Sequence, residues 1–174
     1  MKEKTCFNCS LIPFRFVLLI MILTALTIIG AVFYFVYVRD GGRQNSRVLE
    51  IRNSATGRTY GRWSLEEGGE FAIEFIHSVN QSPVKETFYI EERMIRLREL
   101  RFYSYGAGMP SNLEEGQELS RDGDAMFITG FNTSFRELNF IVGTVSDHLF
   151  FINGEILSLR DLCGKNAHIT ISLR

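Results

Sequence analysis

From residue 16 to residue 38 the chain reads "FVLLIMILTALTIIGAVFYFVYV", and none of these side chains carries a charge. No other feature restricts the possible folds so much. A helix over this run rises 1.5 Å per residue and reaches about 34 Å, enough to span the hydrocarbon core of a bilayer. Phe33, Tyr34, Phe35 and Tyr37 gather at its C-terminal end, as an aromatic belt does at a membrane surface. The run is longer than a signal-peptide core, and "YFVYVRDGG" lacks the small-x-small pattern read by a signal peptidase. Cys6 and Cys9 precede the run rather than follow it, which excludes a lipoprotein signal. The expectation is one uncleaved transmembrane helix over 16–38. It leaves an N-terminal tail (1–15), a linker (39–46) that holds "DGGRQNS", and one domain (47–174).

Charge alone does not orient the span. Lys2, Lys4 and Arg15 precede it, whereas Arg39, Arg43, Arg47, Arg52 and Arg58 follow it. Counted literally, the positive-inside rule favours a cytoplasmic domain, but long domains translocate largely regardless of charge. The net charge of −1 gives no basic surface for nucleic acid. Cys6 and Cys9 form a CxxC-like pair with no histidine in the tail to complete a zinc site. Cys163 is alone in the domain, so that domain must hold together without an internal disulfide.

After residue 46 the apolar runs are rich in β-branched and aromatic residues and are broken by turn signals, with no long helical period. Strands are expected at 48–52 and 60–65 around "NSATGR", with Gly57 in the loop, and at 126–129, 138–142 and 168–173. "HLFFINGEILSL" places Asn153-Gly154 between two apolar runs, which asks for a type I′ hairpin turn. Roughly ten short strands predict an all-β sandwich or barrel-like domain.

"FAIEFIHSVNQSPVKETFYI" (71–90) holds two strands, each with one oily face, and a third follows after a tight turn at Glu92-Arg93. Phe71, Ile73, Phe75 and His77 share one face, as do Val84, Glu86, Phe88 and Ile90, and then Ile95, Leu97 and Glu99. An antiparallel meander that unites these faces puts Ile73 beside Ile90 and Ile95, then Phe75 beside Phe88 and Leu97. The next rung holds His77, Glu86 and Glu99. Above it would lie "YSYGAGMPS", where Gly106 and Gly108 allow close backbone approach.

Such a polar rung on an inner face needs compensation. Four arrangements supply it: a structural ion-pair cluster; a site for a polar ligand; a metal held by His77, Glu86 and Glu99, with or without His148; or acid–base catalysis. Ser78 points away from His77 and makes no nucleophile pair with it. His148, which shares a face with Phe150 and Ile152, reads first as a core or rim histidine. "GAG" lacks the Lys and helix of a phosphate loop, and no cofactor is implied.

"FIHSVNQSPVKETFYI", "LRELRFYSYGAGMPS" and "RELNFIVGTVSDHLFFINGEILSLRDLCGKNAHITISL" together resemble the bacterial domain-of-unknown-function family numbered 1850. His-Ser-Val, Pro-Val-x-Glu and Gly-Ala-Gly-x-Pro, in that order, are its most specific part. On this resemblance His77, Ser78, Val79, Pro83, Val84, Glu86, Glu99, Gly106, Ala107, Gly108, Pro110 and His148 fall on motif positions. Glu92-Arg93 departs from the Asp-Gly-like turn expected there. The resemblance implies company rather than chemistry: a partner of TRAP-type solute transporters of the TAXI subclass, meeting the permease or its solute receptor. It also implies a cytoplasmic N-terminus and an extracytoplasmic domain in the cell membrane. The expected function is an accessory or binding module, with a metal- or acid–base-assisted hydrolase and a ligand-free structural domain as alternatives.

Overall fold

The computed structural model describes residues 14–41, 46–79, 81–105 and 112–174. The chain divides into two compact units, Met1–Gln44 and Asn45–Arg174. Among its described residues the first contains one helix, α1 (Phe14–Gly41), which covers the uncharged run. Its described side chains, Leu18, Leu19 and 21–35, all lie exposed, and none is charged. Their unbroken stretch is about 22 Å long at 1.5 Å per residue. Among the described residues no helix is long and apolar enough to cross a membrane.

The second unit contains twelve strands among its described residues, where about ten were expected. They are β1 (Arg47–Asn53), β2 (Thr59–Leu65), β3 (Glu70–Ile76), β4 (Pro83–Glu91), β5 (Met94–Phe102), β6 (Glu118–Asp122), β7 (Ala125–Thr129), β8 (Ser134–Phe135), β9 (Glu137–Ile141), β10 (His148–Ile152), β11 (Glu155–Ser158) and β12 (His168–Leu173). A short helix, α2 (Leu159–Cys163), separates the last two. The smaller sheet runs β2-β1-β12-β9; the larger runs β11-β10-β3-β4-β5-β7-β6, with β8 paired to β5. All pairings are antiparallel.

Alternation along the strands explains why two sheets can share one core. Leu49, Ile51, Ile169 and Ile171 from the small sheet, and Phe71, Ile73, Phe88, Ile90, Ile95, Phe150 and Ile152 from the large one, are buried in a single apolar cluster. Period-two side chains put each set on one face, and facing those sets together gives the sandwich form. Trp63 meets Phe150 edge-on at 5.2 Å between ring centroids, and Phe71 stacks on Phe88 at 5.3 Å. The large sheet is wider than its partner. Val84, Leu100, Phe102, Met126 and Ile128, on β4, β5 and β7, form a second buried cluster.

The turns form largely as their residues require. Asn153 and Gly154 both have positive φ, 50° and 80°, as a type I′ turn demands. Glu92 and Arg93 also have positive φ, 51° and 67°. The tight turn therefore forms with residues poorly suited to it, at a cost on the order of 1 kcal/mol each. Helix α2 was not foreseen. Ser158 caps it by accepting a hydrogen bond from Asp161 N–H at 3.0 Å, and Gly164 ends it with φ 95°.

Candidate functional site

The anticipated rung of His77, Glu86 and Glu99 does not form. Strands β3 and β4 pair four residues away from the expected register, with Ile76 opposite Pro83, Phe75 opposite Val84 and Ile73 opposite Glu86. The connection is tighter than the loop "SVNQSPVK" suggested: His77 N–H donates to Ser82 O and Gln81 N–H donates to His77 O, both at 2.9 Å. An even slip keeps every side chain on its face, so alternation alone could not detect it. His77 sits in this turn, where its Nδ1 accepts from Val79 N–H at 3.3 Å.

Glu99 leaves the inner face for a second reason. Between Thr87 and Phe88 the β4–β5 register shifts, because β5 carries one extra residue there, Arg98. Leu97 pairs with Phe88, but Glu99 pairs with Thr87 and Leu100 pairs with Glu86. The bulge lets Leu100 and Phe102 turn inward, where they are 7% and 0% exposed, and it sends Glu99 outward. Gly106, Ala107, Gly108 and Pro110 lie outside the described residues.

Glu86 keeps its inner-face position in different company. Its rung now reads Phe150, Ile73, Glu86, Leu100, Ile128, so one carboxylate interrupts an otherwise apolar row. The adjacent rung begins with His148 opposite Phe75. Both Glu86 and His148 line a pocket of about 270 Å³. Ile73, Phe75 and Phe88 form one wall; Leu138 and Phe140, from β9, form the other.

His148 is held firmly. Its ring lies 5.4 Å from that of Phe75 and 5.6 Å from that of Phe140. Gly143 N–H donates to Nδ1 at 3.1 Å, which assigns the proton of the neutral ring to Nε2. A side chain at Gly143 would meet Ser146 O at 2.2 Å and His148 Cε1 at 3.3 Å, so only glycine allows this approach. Asp147 ties the same corner to α2, accepting from His148 N–H at 2.7 Å and Arg160 N–H at 3.1 Å. Burial pushes the His148 imidazole below its ordinary pKa; Asp147 opposes this shift and Arg160 adds to it. Asp147 is itself held low despite burial, by hydrogen bonds from Ser158 and from the backbone of Arg160 and His148.

Glu86 has no such support. Burial pushes its carboxyl above the usual range, and among the described residues no hydrogen bond or ion pair reaches it. An acid and a neutral imidazole thus share a small pocket walled by aromatic rings, an arrangement suited to holding a compact ligand. The pair joins a glutamate singled out from the sequence to a histidine read there first as a core or rim residue.

The other acids do different work. Glu99 borders a shallower groove of about 600 Å³ on the outer face of the large sheet, with Lys85 and Arg98. Those cations are engaged: Lys85 Nζ lies 3.8 Å from the centroid of Phe151, and Arg98 pairs with Glu70 at 2.9 Å. Among the described residues no group of three or more His, Cys, Asp or Glu side chains is arranged to hold a metal ion, so His77, Glu86, Glu99 and His148 do not make a joint metal site. Cys163 is free, and burial lifts its thiol to about 11.

A family model described as a domain of unknown function, DUF1850, matches residues 71–159. The matched stretch runs from β3 to the first residue of α2 and includes both Glu86 and His148. No curated protein and no solved structure matches the chain.

Proposed function

The chain belongs to the DUF1850 family, and on that premise we propose that it is a membrane-anchored, extracytoplasmic binding module serving a TRAP-type solute transporter of the TAXI subclass. The observation that carries the binding role is the pocket between the sheets, where Glu86 stands without a partner among the described residues. A solute or a solute-like group is the occupant that such a pocket suits. The motif resemblance supports the transporter as company and the outside of the cell as location.

Anchoring by α1 draws support from two features. The run 16–38 carries no charge. Within it, Thr24 Oγ1 donates to Met21 O at 3.0 Å and Thr27 Oγ1 donates to Thr24 O at 2.8 Å, so both hydroxyls are satisfied inside the helix. Hydrocarbon would demand this of them.

Two measurements on native membranes test the proposal. Val145 is 93% exposed, which makes Val145→Cys a reporter of sidedness. Cys6 and Cys9 of the tail are first replaced by serine, since in the opposite orientation they would react from outside; the half-buried Cys163, with its thiol near 11, contributes little background. A membrane-impermeant maleimide added to spheroplasts labels the introduced thiol if the domain is outside; labelling only after lysis refutes the orientation. A photo-crosslinking residue at the same position is expected to capture a permease subunit or solute receptor. Recovery of the uncrosslinked chain alone counts against the transporter role.

A further inference from the structure

We propose that the pocket between the sheets takes a small tertiary or quaternary ammonium group, with Glu86 as its counter-charge and the surrounding phenyl rings as its walls. This assignment rests on the binding-module reading and names the class of ligand.

Charge favours a cation. Glu86 lies mid-row between Ile73 and Leu100, and no cation of the described residues pairs with it. His148 is the other titratable side chain lining the pocket, and it is kept neutral by burial with its Nδ1 already accepting from Gly143. From the elements packed around Glu86, β3 presents Ile73, β5 presents Leu100, and β9 presents Leu138 and Phe140. An incoming cation would therefore be the first positive charge the carboxylate meets.

The scarcity of acceptors narrows the kind of cation. A metal ion needs several oxygen ligands, and a primary ammonium has three N–H groups to satisfy. Besides Glu86, the pocket's other oxygen-bearing side chain is Asn139, whose Oδ1 already accepts from Thr170 Oγ1 at 2.6 Å. An alkylated ammonium has few or no N–H groups and prefers aromatic faces. Phe75, Phe88 and Phe140 line the pocket with aromatic rings. Size sets the last limit: about 270 Å³ admits a compact head group but not a long molecule.

Tetramethylammonium chloride is the probe, with tert-butanol as a neutral molecule of similar shape. The full chain is held in uncharged maltoside micelles, because choline lipids would compete. Saturation transfer from protein to probe methyl groups, followed by titration, gives both affinities. Tetramethylammonium is expected to bind roughly tenfold tighter than tert-butanol, in keeping with desolvated cation–π and ionic contact. Its affinity should rise with pH as Glu86 ionises, and Glu86→Gln should erase the preference. Phe140→Ala, which removes one ring and leaves the charge, should weaken tetramethylammonium more than tert-butanol. Failure of tetramethylammonium to bind overturns the proposal. So does equal binding of the two probes, or a preference that survives in a folded Glu86→Gln chain. A chain that binds tetramethylammonium yet crosslinks to no transporter keeps this inference and loses only the transporter role.

Discussion

Glu50 and Glu86 are carboxylates in the middle of strands, one buried and one half-buried, and the fold treats them in opposite ways. Glu50, on β1, is 2% exposed on the outer face of the small sheet. Thr59 donates to it at 2.8 Å, Arg62 at 2.8 and 3.0 Å, and Arg174 at 2.8 Å. Chiefly through Arg174, with burial opposing and Thr59 and Arg62 helping, its carboxyl is held down at about 2. Glu86 faces inward, meets no donor among the described residues, and is pushed up by burial. Coverage by itself does not set a carboxylate's charge; what covers it does. Guanidinium groups make Glu50 a fastening, whereas phenyl and alkyl groups leave Glu86 waiting for a partner.

Removing the fastening should have the largest effect. Glu50→Gln is expected to destabilise the domain by about 3 kcal/mol at pH 7, the low end for a broken buried pair. The low end applies because Arg62 and Arg174 stay 64% and 59% exposed and keep their hydration. Urea unfolding in micelles, followed by the fluorescence of Trp63, measures it; Trp63 is the single tryptophan and packs against Phe150. Because the native carboxyl titrates at about 2 rather than 4.5, its contribution is complete above about pH 4.5. It is lost as pH falls toward 2, so the gap between wild type and Glu50→Gln should close over that window.

Glu86→Gln should do the reverse and stabilise, by about 1 kcal/mol at pH 7, the low end for a polar group left without a partner, since Glu86 is only half-buried. Its native pKa lies above 4.5. Below 4.5 both states are protonated and the penalty vanishes; above it the unfolded state ionises first and the penalty grows. The gain from the glutamine should therefore open as pH rises. The two variants would show opposite slopes, and parallel profiles would refute the contrast. In combination their effects should add within about 0.5 kcal/mol, since the side chains lie on different sheets with no shared partner.

A smaller, pH-independent change calibrates both. Replacing Glu92-Arg93 by Asn-Gly suits the positive φ of both positions and should add about 0.5–1 kcal/mol at every pH. No gain in the same urea titration would mean that the positive φ of these two residues costs the fold nothing.

Much of this fold is legible in the amino-acid sequence. Alternation assigned Phe71, Ile73, Phe75, Val84, Glu86 and Phe88 to inward faces, and the Asn-Gly pair marked its hairpin. Phase was not legible, because a register slip of four leaves that alternation unchanged, so Glu86 was matched to His77 instead of Ile73. The bulge at Arg98 was hidden for a related reason: Leu97, Leu100 and Phe102 suit either parity until packing selects one. Glu50 drew no notice, since a glutamate between Leu49 and Ile51 looks like an ordinary outward residue. Arg174, 124 positions along the chain, is what covers it. Helix α2 did leave a trace in Ser158, Asp161 and Gly164, but one turn is too short to show periodicity.

Strand β6 bears on how copies of this chain behave together. Among the described residues it lies at the margin of the large sheet with all five side chains exposed, a ready template for another strand. Centred on Ser120, antiparallel pairing with its own copy would set Glu118 against Asp122 at both ends. Like charges directly opposite one another oppose pairing. The margin thus discourages growth into a continuous ribbon.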